Sequence, residues 1–189
     1  ALKAMKQSGL PSVITIAPMG ENIMRDGVSI LDTCKELEQR GGDVVGMNCF
    51  RGPNTMMPYL KEIRKTIKCH MAALPIPFRT NKSQPTFFNL DDNNDCKCPS
   101  PHGRTFPTAL DPMYCNRYEI RKFAEEALAL NIRYLGICCG AAPMHIREVA
   151  EAAGKDVPAS KYREKMSNHF MYGTNERIPE HIKTYGSKA

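Results

Sequence analysis

Four short apolar runs recur along the 189-residue chain: residues 12–17, 43–49, 68–74 and 132–137. Each is rich in Val, Ile, Met or Ala and too short for a helix. Continuous apolar character, rather than strict alternation, marks strands covered on both faces. Helical spacing fills much of the rest. Residues 1–10 read as a helix end closing on Gly9. Val28, Leu31, Cys34 and Leu37 recur at helical intervals behind Asp26 as the expected cap. Met56, Leu60, Ile63 and Ile67 line a helix opening at Asn54 or Thr55, with Pro58 expected in its first turn, where a missing N–H is tolerated. Asn116 and Glu119 are spaced as a capping box ahead of Ile120, Phe123, Ala124, Ala127 and Leu128. Pro143 opens a last helix whose inner stripe is expected at Ile146, Val149, Ala150 and Ala153. The predicted order is α-βαβαβ-loop-αβα, which defines an α/β protein with a parallel sheet. Two architectures accommodate four such strands. One is a small open α/β domain. The other is half of a (β/α)8 TIM barrel, which when complete has eight strands and roughly 250 residues.

Two segments stand outside this rhythm. Residues 79–115 form a long polar loop rich in Asn, Asp, Pro and Ser, with an apolar cluster at Phe87, Phe88 and Leu90. Loops of that length usually serve a function or an interface. Residues 155–189 lack a strong period and read as an irregular C-terminal extension. The expected division is therefore a barrel-type domain over 1–154 and an extension over 155–189. Loop and extension are both expected at subunit contacts, since neither has an evident barrel role.

Composition narrows the functional classes. Hydrophobic residues make up 42% and charged residues 24%, values of an ordinary folded domain rather than a disordered one. No apolar run reaches the ~18 residues of a membrane span, and no secretory signal pattern is present. The net charge of +6 is spread among acidic residues, Trp is absent, and no basic run with interleaved aromatics occurs. Nucleic-acid binding is not expected. The chain begins at Ala1 rather than Met, so a piece of a longer protein is expected.

Eight cysteines are present: Cys34, Cys49, Cys69, Cys96, Cys98, Cys115, Cys138 and Cys139. With normal apolar content and no secretory signal, they read as thiols of a reducing, cytoplasmic setting rather than as a disulfide framework. Two strands end in cysteine, in Gly46-Met47-Asn48-Cys49 and in Gly136-Ile137-Cys138-Cys139-Gly140. Parallel α/β folds place function at the carboxyl ends of their strands. These are the second and fourth strands, which have the same parity and so feed the same interior layer of a barrel. Adjacent cysteines on a regular strand face opposite ways, so joint ligation requires a bend, which Gly140 permits. Three protein thiolates with one open place is the arrangement of a catalytic zinc. The sulfurs of Cys49, Cys138 and Cys139 should then lie about 4 Å apart. The bland alternative is buried core cysteines, and a vicinal disulfide is a strained third.

Other residues carry weaker signals. Cys96, Cys98 and His102 have the composition of a second metal site, but lack a fourth placed ligand and read as free loop thiols. His70 sits within a strand as a core histidine or a support to a ligand. His145, in the first turn of the last helix, reads as an exposed helix histidine, with a supporting role to the cysteine pair as the alternative. Cys34, Cys69 and Cys115 look structural. No phosphate-cradling loop, nucleophile elbow or dinucleotide fingerprint occurs.

The two cysteine motifs together resemble the zinc-binding pattern of the homocysteine S-methyltransferase family. The segment from Asn116 to Ile146, the run Pro143-Met144-His145-Ile146-Arg147, and Pro158-Ala159-Ser160-Lys161 are similar to the betaine-using branch of that family. The resemblance implies the C-terminal half of a (β/α)8 barrel. It also implies Zn2+ held by Cys49, Cys138 and Cys139, with homocysteine taking the remaining place and betaine as the methyl donor, and a homo-oligomeric parent. Donors of the S-methylmethionine or methylfolate type, and a non-enzymatic zinc- or thiol-binding module, are the competing readings. Most residues that grip the amino acid and the donor in the family fall in the other half of the barrel.

Overall fold

The computed structural model describes residues 1–19, 22–91 and 105–187; Cys96, Cys98 and His102 lie outside them. The elements run α1 (Leu2–Gln7), β1 (Val13–Ile16), α2 (Ile30–Gln39), β2 (Val44–Asn48), α3 (Pro53–Thr66), β3 (His70–Leu74), α4 (Arg117–Ala129), β4 (Tyr134–Leu135), α5 (Pro143–Ala152) and α6 (Glu180–Gly186). The four strands form one parallel sheet in the order β1-β2-β3-β4, so sequence neighbours are also spatial neighbours. This is the α/β architecture of a partial (β/α)8 barrel. Two compact units are present, 1–156 and 157–189, and the second holds α6 with two short 3-10 turns.

The register explains why the strands have the residues they do. One row across the sheet is Thr15, Gly46, Ala72 and Tyr134; the next is Ile16, Met47, Ala73 and Leu135. Met47, Val45 and Met71 are fully buried, as are Met56, Leu60 and Ile63 of α3 and Cys34 of α2. Phe123 and Ala127 of α4 complete this core. Each large aliphatic side chain so buried contributes about 1.5–3 kcal/mol. Gly46 belongs to the tightest point of the sheet, where an added Cβ would sit 1.9 Å from the Ala72 carbonyl oxygen. The methionines are ordinary core residues there.

At the amino end, Asp43 ties β1 to β2. Its Oδ2 accepts from the Ser12 N–H and the Ser12 hydroxyl, both at 2.8 Å, and pairs with Lys6 at 3.4 Å. These bonds, the Ser12 N–H first, pull its pKa down to about 2.

Several sequence expectations shift. Asp26 does not cap α2: its Oδ1 accepts from the Val28 N–H in a short local turn, and Ser29 caps instead, accepting from the Asp32 N–H at 3.0 Å. Helix α3 starts at Pro53, which as first residue loses no hydrogen bond, so Pro58 falls inside the helix rather than in its first turn. The last strand is shorter than expected. Ile132 belongs to the closing turn of α4, donating to the Ala127 carbonyl, while Asn131 adopts a left-handed φ of 57°. The Asn116–Glu119 capping box forms as read, with both halves present.

The long loop does have a barrel role. Phe87 and Leu90 are buried with Ile76 and Phe78, and Phe50, Phe88 and Phe106 pack around them. This second core covers the carboxyl ends of β2 and β3.

Candidate metal centre

Strand β2 ends in an unusual turn. Cys49 and Phe50 both take left-handed φ values, 59° and 56°, a conformation that costs a non-glycine residue on the order of 1 kcal/mol each. The turn is held: Cys49 N–H still donates to the Leu74 carbonyl at 2.9 Å, and Arg51 N–H donates back to the Cys49 carbonyl. Ile76 N–H then donates to the Arg51 carbonyl at 3.0 Å. Phe50 is meanwhile packed among Phe87 and Phe88, with ring centroids at 6.3 and 5.2 Å.

The backbone after β4 keeps pairing with β3 and its continuation. Gly136 N–H donates to Ala73 and Cys138 N–H to Pro75, the latter at 2.7 Å. Gly140 then turns with φ 87°, where an added Cβ would meet the Phe78 ring at 2.8 Å. Only glycine fits that bend, and the bend lets neighbouring cysteines face one point.

The result is a thiol cluster. Cys49 Sγ lies 3.5 Å from Cys139 Sγ, Cys139 Sγ lies 3.7 Å from Cys138 Sγ, and all three sulfurs fall within 4.8 Å of one another. Cys49 is buried, Cys138 half-buried and Cys139 exposed. Burial, and the neighbouring thiols after it, push the Cys49 thiol up to about 12. Three sulfurs on a tetrahedral zinc at 2.3 Å would be ~3.8 Å apart. The donor set and its spacing therefore fit a soft divalent ion, with an open side at Cys139. A pocket of about 290 Å³ adjoins that side, walled by Phe78, Phe87, Phe106 and Tyr114, with Asp111 at its edge.

The remaining sequence candidates separate clearly. Cys34 and Cys115 are buried thiols raised to about 12 by desolvation, and among the described residues neither belongs to a cluster of metal-ligating groups. Cys69 is half-buried and also raised, by burial first and by Glu38. His70 is exposed at the amino end of β3, the opposite end from the cluster, so it is neither core nor a ligand support. His145 is the reverse of the expectation: it is fully buried, while Ile146, expected inward, is exposed. The inner face of α5 is His145, Glu148 and Val149, because Glu148 reaches Arg121 of α4 at 3.2 Å and His145 reaches the loop before α4. Tyr114 carried no sequence signal as a site residue.

A parallel α/β barrel segment bearing three convergent thiols on the strand-end rim has the donor set of a metal site. The sequence profile of homocysteine S-methyltransferases matches residues 1–153. Betaine--homocysteine S-methyltransferase 1 of Xenopus tropicalis is 31% identical over 159 residues, covering 80% of this chain and 36% of its own. S-methylmethionine--homocysteine S-methyltransferase BHMT2 of Mus musculus is 29% identical over 157 residues, with 80% and 39% covered. Among solved structures, the homocysteine methyltransferase MmuM from Escherichia coli in its oxidized form superposes with a TM-score of 0.52 at 11% identity. It covers 79% of this chain and 39% of that one. The chain belongs to the homocysteine S-methyltransferase family. It spans a little over a third of the length of these relatives.

Proposed function

We propose that the protein to which these residues belong transfers a methyl group from betaine to homocysteine, giving methionine and dimethylglycine, at a zinc ion held by Cys49, Cys138 and Cys139. The observation that carries this reading is the thiol cluster, three sulfurs from two alternate strand ends within 4.8 Å. Zinc bound there would supply a Lewis acid that keeps a substrate thiol ionised near neutral pH. Cys49 supplies the buried ligand, fixed by its turn. Cys138 and Cys139 supply the outer ones and leave their open side to substrate. In the transfer, the homocysteine sulfur loses its proton and forms the S–CH3 bond. The N–CH3 bond of betaine breaks with its electron pair going to nitrogen. The nearby aromatic walls and Asp111 are chemically suited to cationic groups.

The mouse relative named for S-methylmethionine supports a second donor. Both donors are onium compounds, so the cluster serves either. We further place the barrel-type domain at 1–154, the extension at 155–189 with a subunit-contact role in a homo-oligomer, and the protein in the cytoplasm. Among the described residues no helix is long and apolar enough to cross a membrane. The test is methionine formation by the protein containing these residues, with betaine and S-methylmethionine supplied separately. Zinc content is read alongside. Turnover with neither donor in zinc-loaded protein would overturn the reading.

A further inference from the structure

We propose that His145, with Tyr114, is a positioning residue that clamps the turn carrying Cys138 and Cys139 and so sets the spacing of the thiol cluster. The proposal rests on the metal reading of that cluster but assigns a role that the ligands themselves do not explain.

Two adjacent cysteines converge only if the turn after them is held. Three backbone groups of that turn are tied down from outside it. Cys138 N–H donates to Pro75. The Gly140 carbonyl accepts from the Tyr114 hydroxyl. Ala142 N–H donates to His145 Nδ1 at 3.0 Å. His145 is itself fixed: its Nε2–H donates to the Cys115 carbonyl at 3.2 Å, and its ring stacks on Tyr114 at 5.3 Å and 24°. Cys115 in turn is anchored by its N–H to the Pro77 carbonyl at 2.8 Å. One imidazole therefore links the turn, the loop before α4 and the continuation of β3. A single tautomer, with hydrogen on Nε2, satisfies both bonds. The neutral ring this needs is favoured by burial, which lowers its pKa.

The chain also shows why histidine stands there. At the third position of α5 it takes the part that Glu or Gln plays in a capping box, accepting from the N-cap N–H. Unlike those side chains it spends its second polar atom on another segment. Residues that orient metal ligands typically change affinity 10- to 100-fold when removed.

The test uses the full chain and Co2+ as the probe, reading affinity, the sulfur-to-cobalt charge-transfer band and thermal stability. His145→Phe keeps the ring and its stacking but loses both hydrogen bonds. We expect its Co2+ affinity to fall about 10- to 100-fold, with an altered band. His145→Asn keeps an acceptor near the Nδ1 position. It should recover much of the affinity and the native band while being no more stable than His145→Phe. Tyr114→Phe, which removes one hydroxyl, should weaken binding several-fold and serves if His145→Phe does not fold. Native affinity and band in His145→Phe, or in Tyr114→Phe where only that variant folds, would overturn the clamp. So would affinities that merely follow thermal stability across the set. A wild-type chain that takes up no Co2+ would instead overturn the metal reading beneath it, and the clamp with it.

Discussion

Cys49 and Cys139 are ninety positions apart in the chain, yet their sulfurs are 3.5 Å apart. That contact exists because β2 and β4 flank β3 in one parallel sheet and both run out at the same rim. Cys49 reaches it through a left-handed turn, and Cys139 through the glycine bend that follows it.

Replacing Cys139 by Ala should separate metal binding from folding. The side chain is exposed, so the metal-free chain should change in stability by no more than about 0.5 kcal/mol. Zinc affinity should drop sharply, because each thiolate is a large share of the ~10–16 kcal/mol of a complete structural zinc site. Elemental analysis after dialysis, paired with unfolding in chelator, reads both. Retention of one equivalent of zinc would refute the ligand assignment.

Asp43 predicts an acid-sensitive sheet edge. Its carboxyl falls from an ordinary 3.8 to about 2 in the folded chain. A group depressed by folding stabilises above its unfolded pKa and loses that contribution as pH falls through its folded one. Stability from this group should therefore be constant above about pH 4.5 and decline between about pH 4 and pH 2. Asp43→Asn should flatten that part of the pH profile, as measured by urea midpoints. An unchanged acid limb would show that the Ser12 bonds contribute nothing there.

Gly46→Ala should be among the most damaging single-methyl additions in the chain. The new Cβ would sit 1.9 Å from a β3 carbonyl oxygen, and rigid backbone cannot yield as a flexible side chain can. We expect a loss of about 3 kcal/mol or more, measured by denaturant unfolding. A loss under about 1 kcal/mol would mean the strands separate easily.

Pro58 offers a gain. It lies inside α3 and is exposed, so its missing N–H leaves the Asn54 carbonyl without its helical donor. Pro58→Ala restores that bond and removes ring strain, against the entropy that proline withholds from the unfolded chain. The net expected change is a stabilisation of about 1–2 kcal/mol, visible as a raised midpoint in thermal unfolding. A lowered midpoint would show that the helix needs the proline.

The thiol cluster was readable before any coordinates because its determinants are local: cysteine at a strand end, glycine beside it, equal parity of the two strands. The same apolar runs located the four strands but left their order open between an open α/β domain and a half barrel, and the order β1-β2-β3-β4 is the barrel's. The burial of His145 was not readable, although its nearness in sequence to the cysteine pair had offered a supporting role as the alternative. Its helix carries apolar residues at Ile146, Val149, Ala150 and Ala153, which suggested one phase, whereas the observed phase buries His145 and Glu148. Polar side chains occupy such a face when partners complete their hydrogen bonds, and those partners, Cys115 and Arg121, come from other segments. Asp26 failed as a cap for a related reason: its carboxylate found a closer N–H at Val28.

The order β1-β2-β3-β4 has a consequence for how such a protein can change. Sheets that reverse their strand order open a crevice at the reversal, and ligands are committed to that one place. Here nothing reverses among the described strands, so each strand delivers its following loop to the same rim, and each loop is a module of that rim. Thiols from two of these modules meet above the strand between them, whose own following loop supplies the aromatic wall. That loop also carries Tyr114 and Cys115, so exchanging this one strand-to-helix segment would alter together what approaches the sulfurs and what holds their turn.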